Sequence, residues 1–302
     1  MSVLQDDLVS VEWLASHLDE VRVVDIRGYV KTEDLGGGRQ QATYAGARDE
    51  FDAGHIPGAV YVDWTADIVD PDGDIKAQVA PPELFAESMS RIGIGNSTDV
   101  VIADHAGGHF ATRLWWALRY YGHDAVAILD GGYKCWVANG HSLSTEITLV
   151  EAAQFQPHVR RTLRSEASDV LALIGNKNRQ IVDARDAGQF SGAVQRGSRG
   201  GHIPGAKHLP VSSLIRVDGQ WKTRQEIRAV ATDAGISLDQ PVTAYCNGGV
   251  TATAALFGLN RAGLEDISNY DGSWNEWGER PELPVEGNRD LFNQGEGDDE
   301  HQ

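Results

Sequence analysis

The hexapeptide GHIPGA occurs twice in this 302-residue chain, at residues 54–59 and again at 201–206. Two further blocks recur around it in the same order. Upstream, VVDIR (residues 23–27) matches IVDAR (181–185), and downstream, ILDGGYKCW (128–136) matches NYDGSWNEW (269–277). Three ordered matches point to a duplicated unit, and a repeat of this kind constrains the whole fold. The length agrees, because a domain takes about 100–200 residues. From Asp25 to Gly54 the chain runs 29 residues, and from Asp183 to Gly201 it runs 18, so the first copy carries 11 extra. The glycine run in DLGGGRQQATY marks that insertion as an irregular loop.

Each copy alternates short apolar runs with helical patterns. In the second copy QIVDAR, AKHLPV, PVTAYC and ISNYDG suit buried parallel strands, with TRQEIRAVATDAG and VTATAALFGLNRAG as helices between them. The first copy repeats this with VRVVDIR, AVYVD, DVVIADH and AVAILDG, and with PPELFAESMSRIG and FATRLWWALRYYG as helices. Such alternation predicts an α/β fold, a mostly parallel sheet flanked by helices, built twice. The expected organisation is an N-terminal domain over 1–145, a linker over 146–160, a second domain over 161–287 and an acidic tail over 288–302.

Charge and cysteine content narrow the function. The net charge of −18 argues against nucleic acid or an anionic membrane as partner, since both select basic faces. Two cysteines, Cys135 and Cys246, make neither a disulfide framework nor a thiolate metal cage and suit a reducing compartment. The N-terminus lacks a basic and an apolar signal region, and no run of about 18 apolar residues occurs, so a soluble cytoplasmic protein is expected.

Duplication supplies an internal control. Features in both copies read as structural: His55 and His202 in the GHIPGA turns, the Asp25/Arg27 and Asp183/Arg185 ion pairs, and Asp130 and Asp271 as turn residues. The asymmetric feature is Cys246. A gapless alignment from Asp130/Asp271 places it opposite His105, and Cys135 falls on a helix as a packing residue. Cys246 ends a strand, Asn247, Gly248 and Gly249 follow, and a helix starts near Val250 or Thr251. In open parallel sheets ligands bind beyond the carboxyl ends of the strands. Paired glycines let the backbone turn its N–H groups inward, and a helix start adds unsatisfied N–H groups and partial positive charge. The expectation is an anion cradle, Asn247 to Thr251, around a nucleophilic sulfur.

Several chemistries fit poorly. A cysteine phosphatase pattern needs an arginine six residues on, where Ala252 stands; a thioredoxin-like site needs a second cysteine at Gly249; a cysteine hydrolase needs a histidine in the loop. Sulfur transfer needs only the thiolate and a stabilised anionic sulfur.

The chain resembles the tandem-domain rhodanese family of thiosulfate and 3-mercaptopyruvate sulfurtransferases. Both GHIPGA segments, VDIR and VDAR, RLWWALRYYG (113–122), CNGGVTA (246–252) and YDGSWNEW (270–277) carry the resemblance. It implies two tandem rhodanese-like α/β/α domains, the second catalytic. It also implies a Cys246 persulfide intermediate, no metal or organic cofactor, a small-molecule donor, and cyanide or a thiol such as thioredoxin as acceptor. The mercaptopyruvate branch resembles C-G-S-G-V-T, whose serine joins an Asp and a His. Here those positions are Gly248, Thr65 and Lys76, so the relay is absent; the thiosulfate branch resembles C-R-K-G-V-T, and its cationic loop is missing as well, with thiosulfate the expected donor and 3-mercaptopyruvate the alternative. A persulfide carrier without turnover and a phosphatase stand behind these.

Donor-binding cations are expected between residues 160 and 199, where eight basic residues face four acidic ones. Arg196 and Arg199 sit where the family places donor arginines, Arg185 follows the strand of VDAR, and Gln189 replaces a family arginine. From the resemblance, His109, Phe110 and Trp274 are candidate cleft walls. Tyr29 is a further candidate, and Gly28 stands where an aromatic is frequent.

Overall fold

The computed structural model describes residues 2–287, so the expected tail over 288–302 lies outside the described residues. The first repeat contains β1 (Leu8–Val9), α1 (Val11–Ser16), β2 (Arg22–Asp25), β3 (Gly28–Gly36), β4 (Arg39–Gly46) and α2 (Arg48–Ala53). It continues with β5 (Val60–Tyr61), α3 (Pro82–Arg91), β6 (Val100–Ala103), α4 (His109–Tyr120), β7 (Val126–Leu129) and α5 (Gly132–Ala138). The second contains β8 (Arg164–Ser165), α6 (Ala167–Leu173), β9 (Gln180–Asp183), α7 (Ala187–Ser191), β10 (Gln195–Arg196) and β11 (Lys207–His208). It ends with α8 (Arg224–Asp233), β12 (Val242–Tyr245), α9 (Val250–Arg261), β13 (Ile267–Tyr270) and α10 (Ser273–Trp277).

Each repeat forms a five-stranded parallel sheet. The orders are β1-β7-β6-β2-β5 and β11-β9-β12-β13-β8, the same architecture twice. The central strands VVIA, VAIL and VTAY are buried at every position, as strands covered on both faces must be. Local chemistry sets the helix starts: Thr223 and Glu226 close a capping box on α8, and Asp186 caps α7. The recurrent histidines are satisfied internally. His55 stacks on Phe51 and bonds the Phe51 carbonyl, while His202 does the same with Phe190. Arg27 pairs with Asp25 and Arg185 with Asp183, all four side chains buried.

The insertion is not irregular. Its two arms pair antiparallel as β3 and β4, and Gly36, Gly37 and Gly38, all at positive φ, form the turn between them. The glycine run read as a loop is the tip of a hairpin. That hairpin leaves its own domain and pairs in parallel with β10 of the other, Gln195 opposite Arg39 and Arg196 opposite Gln40.

The two repeats meet through α4 and α9. The Thr112 and Thr253 hydroxyls bond each other at 3.1 Å, and Trp115 packs edge-on against Phe257. Both helices are buried nearly all round, which only a core position tolerates. Asp130 and Asp271 sit in the turn and bend that follow β7 and β13, as expected, and their carboxylates also cross the interface. Asp130 accepts the Trp221 N–H at 2.8 Å and Asp271 the Val79 N–H at 2.8 Å, so each carboxylate reaches into the opposite repeat. Asp271 also takes the Arg113 guanidinium at 2.5 Å, with side-chain exposures of 0% and 1%.

Removing one partner of a buried ion pair costs about 3–5 kcal/mol, because the other charge stays desolvated and alone. Arg113→Met should therefore lower the unfolding free energy by that amount in urea titration. A loss below about 1 kcal/mol, the value of an exposed pair, would show that this contact does not hold the interface.

Candidate active site

Strand β12 delivers Cys246 to the carboxyl end of the second sheet, beside the start of α9. Its backbone is held on both sides: the N–H donates to Ser273 Oγ at 3.1 Å, and the carbonyl accepts the Trp274 N–H at 3.0 Å. Ser273 adopts φ +50, a left-handed conformation that costs a non-glycine residue stability and is retained where surroundings enforce it. Asn247 is pinned by its Nδ2 to Gln189 Oε1 at 2.8 Å and by its carbonyl, which accepts the Asn275 N–H at 2.7 Å. Gly249 caps α9 at φ +70 and has no side chain to bond the first-turn amides of that helix.

The first repeat shows what such a turn holds. Strand register matches Asp25–Ala103 to Asp183–Tyr245, so the residue after β6, Asp104, is the structural counterpart of Cys246. Its carbonyl accepts the Tyr133 N–H as that of Cys246 accepts the Trp274 N–H. This corrects the gapless pairing with His105, because the first copy carries one additional residue between Asp104 and the helix cap Gly108. The Asp104 carboxylate accepts four backbone N–H groups, from Ala106, Gly108, Phe110 and Ala111, at 2.9–3.0 Å. The strand–turn–helix is therefore an anion cradle, filled internally in one repeat and presenting a cysteine in the other.

Cys246 is only 3% exposed, yet it borders a cavity of about 320 Å³. Asn247, Gly248, Val250 and Thr251 share that wall. The opposite side comes from the first repeat: Val30, Thr32 and Tyr44 on the hairpin, with Trp64 and His109. Val30 and Tyr44 are cross-strand partners, so they present one face downward. Sequence reasoning missed this roof. Its signal was the 11-residue insertion, whose glycines masked a hairpin with alternating residues on one face.

The candidate cations separate. Arg196 borders the cavity from β10, with its Nε buried and unpartnered. Burial pushes its pKa down from the ordinary value, opposed by Tyr44, Asp186 and Cys246. Arg185 reaches the wall, but its guanidinium is committed to Asp183 and the Gly201 carbonyl. Arg199, expected to bind donor, instead donates to the carbonyls of Trp277, Gly278, Arg280 and Leu283, fastening the segment after α10. Two expected wall residues also move. Phe110 is 3% exposed and packs on Trp64 behind the cavity, because the first turn of α4 points it into the core. Trp274 lies beneath the turn, stacked on the Arg185 guanidinium at 4.2 Å, and is buried. Tyr29 lies outside the cavity wall, bonded to Glu50 and tilted on His105. Among the described residues no cluster of three or more His, Cys, Asp or Glu could hold a metal ion. No described helix is long and apolar enough to cross a membrane.

A methyl group on Gly249 would lie 2.8 Å from the Asp271 carbonyl oxygen and 2.9 Å from its Oδ1. Gly205, at φ +76 with open space around it, is the control for left-handed strain alone. Gly205→Ala should cost about 1–2 kcal/mol in urea titration. Gly249→Ala should cost more and also slow alkylation of Cys246 by iodoacetamide. Equal behaviour of the two variants would mean that the turn is not fitted to Asp271.

Comparison with known proteins agrees with this geometry. Residues 10–139 and 166–280 each match the rhodanese-like domain. The chain is 33% identical over 279 residues to thiosulfate sulfurtransferase of Gallus gallus, covering 89% of this chain and 92% of that one. It is likewise 33% identical over 283 residues to 3-mercaptopyruvate sulfurtransferase of Escherichia coli, covering 92% and 97%. The crystal structure of SseA from Escherichia coli, a 3-mercaptopyruvate sulfotransferase, superposes with a TM-score of 0.76 at 31% identity, over 89% of this chain and 99% of that one. The chain thus belongs to the tandem-domain rhodanese family of sulfurtransferases.

Proposed function

We propose that the protein moves sulfane sulfur from thiosulfate to a nucleophilic acceptor through a persulfide on Cys246. The observation that carries this reading is the paired cradle, in which four amides hold a carboxylate in one repeat while the equivalent turn surrounds a cysteine in the other. In the first step the Cys246 thiolate attacks the outer sulfur of thiosulfate. A bond from Sγ to that sulfur forms, the donor S–S bond breaks, and its electron pair leaves with sulfite. The negative charge on the terminal sulfur then sits among preorganised N–H groups of the 247–251 turn. In the second step cyanide or a thiol such as thioredoxin takes the sulfur, restoring the thiolate. The cycle calls for no metal or organic cofactor. It suits a reducing, cytoplasmic setting, in which Cys135 and Cys246 stay free.

Thiosulfate is favoured over 3-mercaptopyruvate by what surrounds the sulfur. Gly248 offers no hydroxyl, and a Cβ there would lie 3.0 Å from Asn275 Nδ2 and 3.3 Å from Ala77 Cβ. Thr65 Oγ1 donates to Asp63, and neither Thr65 nor Lys76 borders the cavity. Arg196 is the cation open to a dianionic donor.

Steady-state assays with each donor and cyanide decide between the two activities, and mass spectrometry of Cys246 after donor alone must show one added sulfur atom. No added sulfur refutes the mechanism, and a preference for 3-mercaptopyruvate moves the protein to the sister activity. Losing one charge-assisted hydrogen bond costs about 1.5–3 kcal/mol. Arg196→Ala should therefore raise the KM for thiosulfate about 10- to 100-fold. Arg199→Ala should act on thermal stability instead. The reverse pattern would return Arg199 to the donor site.

A further inference from the structure

Cyanide and thiols differ as acceptors in where their proton is lost. Cyanide attacks a persulfide as its small anion, which hydrogen cyanide releases in bulk water, so the protein takes no proton from it. A thiol has an ordinary pKa of about 8.5, so near neutrality it must shed its proton as its sulfur attacks. The cavity over Cys246 needs a group to receive that proton, and its wall offers few. Arg185 is locked on Asp183, Arg196 is a cation, and Asp186 caps α7 through the Gln189 N–H. Burial pushes the Tyr44 hydroxyl further above 10.0, so it stays protonated. His109 remains. It is the first residue of α4, brought across the interface from the first repeat to the wall that also holds Cys246. Among the described residues its ring nitrogens have no hydrogen-bond partner, and the charge that acts on the ring is Asp104. Burial pushes the imidazole pKa below its ordinary 6.5, against the opposing pull of Asp104, so the ring is neutral and able to accept. The Asp104 carboxylate is itself held by four backbone amides.

We propose that His109 is the proton acceptor that activates a thiol acceptor in the second half of the cycle. This rests on the sulfur-transfer reading above and adds a group to it. The acceptor sulfur forms a bond to the outer sulfur of the Cys246 persulfide. The bond from that sulfur to Sγ breaks, its electron pair stays on Sγ as thiolate, and the thiol proton passes to a His109 ring nitrogen. The product leaves as an anionic persulfide, and the imidazolium returns its proton to water. No oxidant or reductant enters beyond donor and acceptor. In the first repeat the residues flanking this role, Asp104 and Gly108, thus anchor the helix end that carries the histidine.

The test uses the whole protein, thiosulfate as donor, and either dithiothreitol or cyanide as acceptor. His109→Gln and His109→Phe are compared, the second keeping an aromatic wall in case the first folds poorly. General-base assistance is worth about 10²–10⁴-fold, so the ratio of thiol to cyanide turnover should fall at least about tenfold at neutral pH in both variants. The deficit should shrink as pH rises and the thiol ionises unaided. With cyanide counted as its anion, the wild-type ratio should carry an acidic limb below pH 6.5 that both variants lack. Equal losses with both acceptors, no loss, or a deficit that persists at high pH overturns the role of His109. If the wild-type Cys246 gains no sulfur from thiosulfate, the sulfur-transfer reading falls with it. A normal persulfide with an unaltered ratio removes His109 alone.

Discussion

A single guanidinium joins the two halves of this protein at the point where the chemistry is built. Arg113, on α4 of the first repeat, reaches Asp271 at the end of β13, the carbonyl of Gly249 in the cysteine turn, and the carbonyl of Ala77 in the 70–79 segment. One cation thereby fixes the helix cap of α9, the carboxylate that crowds Gly249, and the segment that packs on Gly248. In a buried interface such a group is costly unless it is paired, so its bonds to Asp271, Gly249 and Ala77 favour one docking geometry over others. The cavity, which exists only between the repeats, inherits that geometry.

Duplication has divided labour between two copies of one scaffold. Both retain the strand–turn–helix with a glycine cap in the left-handed region, Gly108 at φ +88 and Gly249 at φ +70. In the first, a carboxylate permanently occupies the turn and tightens the end of α4. In the second, the residue at the strand end is a thiol, which can carry a charged sulfur and give it away. The first copy then contributes outward, sending a hairpin over its neighbour and a helix end into the cavity wall. Its β4 strand even enters the neighbour's territory as a sheet partner of β10, which carries Arg196.

The elements with one dominant signal were legible in the sequence. Apolar four-residue cores such as VVIA and VTAY became strands, and the glycine-terminated apolar helix after Cys246 became α9, starting at Val250. Cys246 and the 247–251 turn were legible because strand end, glycine pair and helix start are adjacent in the chain. Residues whose role depends on a distant partner were not. Arg185 and Arg199 carry the same charge as Arg196, but one faces Asp183 and the other a row of carbonyls 78–84 residues away in sequence. Phe110 and His109 are neighbours on one helix, and only the helix phase decides which faces the core. The hairpin was hidden because its polar, glycine-rich composition resembles a loop, and its stabilising partner lies in the other repeat.

By itself the sequence determined a doubled α/β scaffold and one cysteine at a strand end before a glycine turn and a helix start, since repeats, periodicity and turn chemistry are local properties that survive without a three-dimensional context. Tertiary structure decided which arginine borders the cavity and which is spent on backbone carbonyls, which carboxylate fills the turn of the first repeat, and which residues roof the cavity. Each of those depends on desolvation and on hydrogen-bond partners contributed by the opposite repeat. Residue type alone says that a side chain can bear charge, but burial and pairing decide whether that charge is spent inside the fold or left for a substrate.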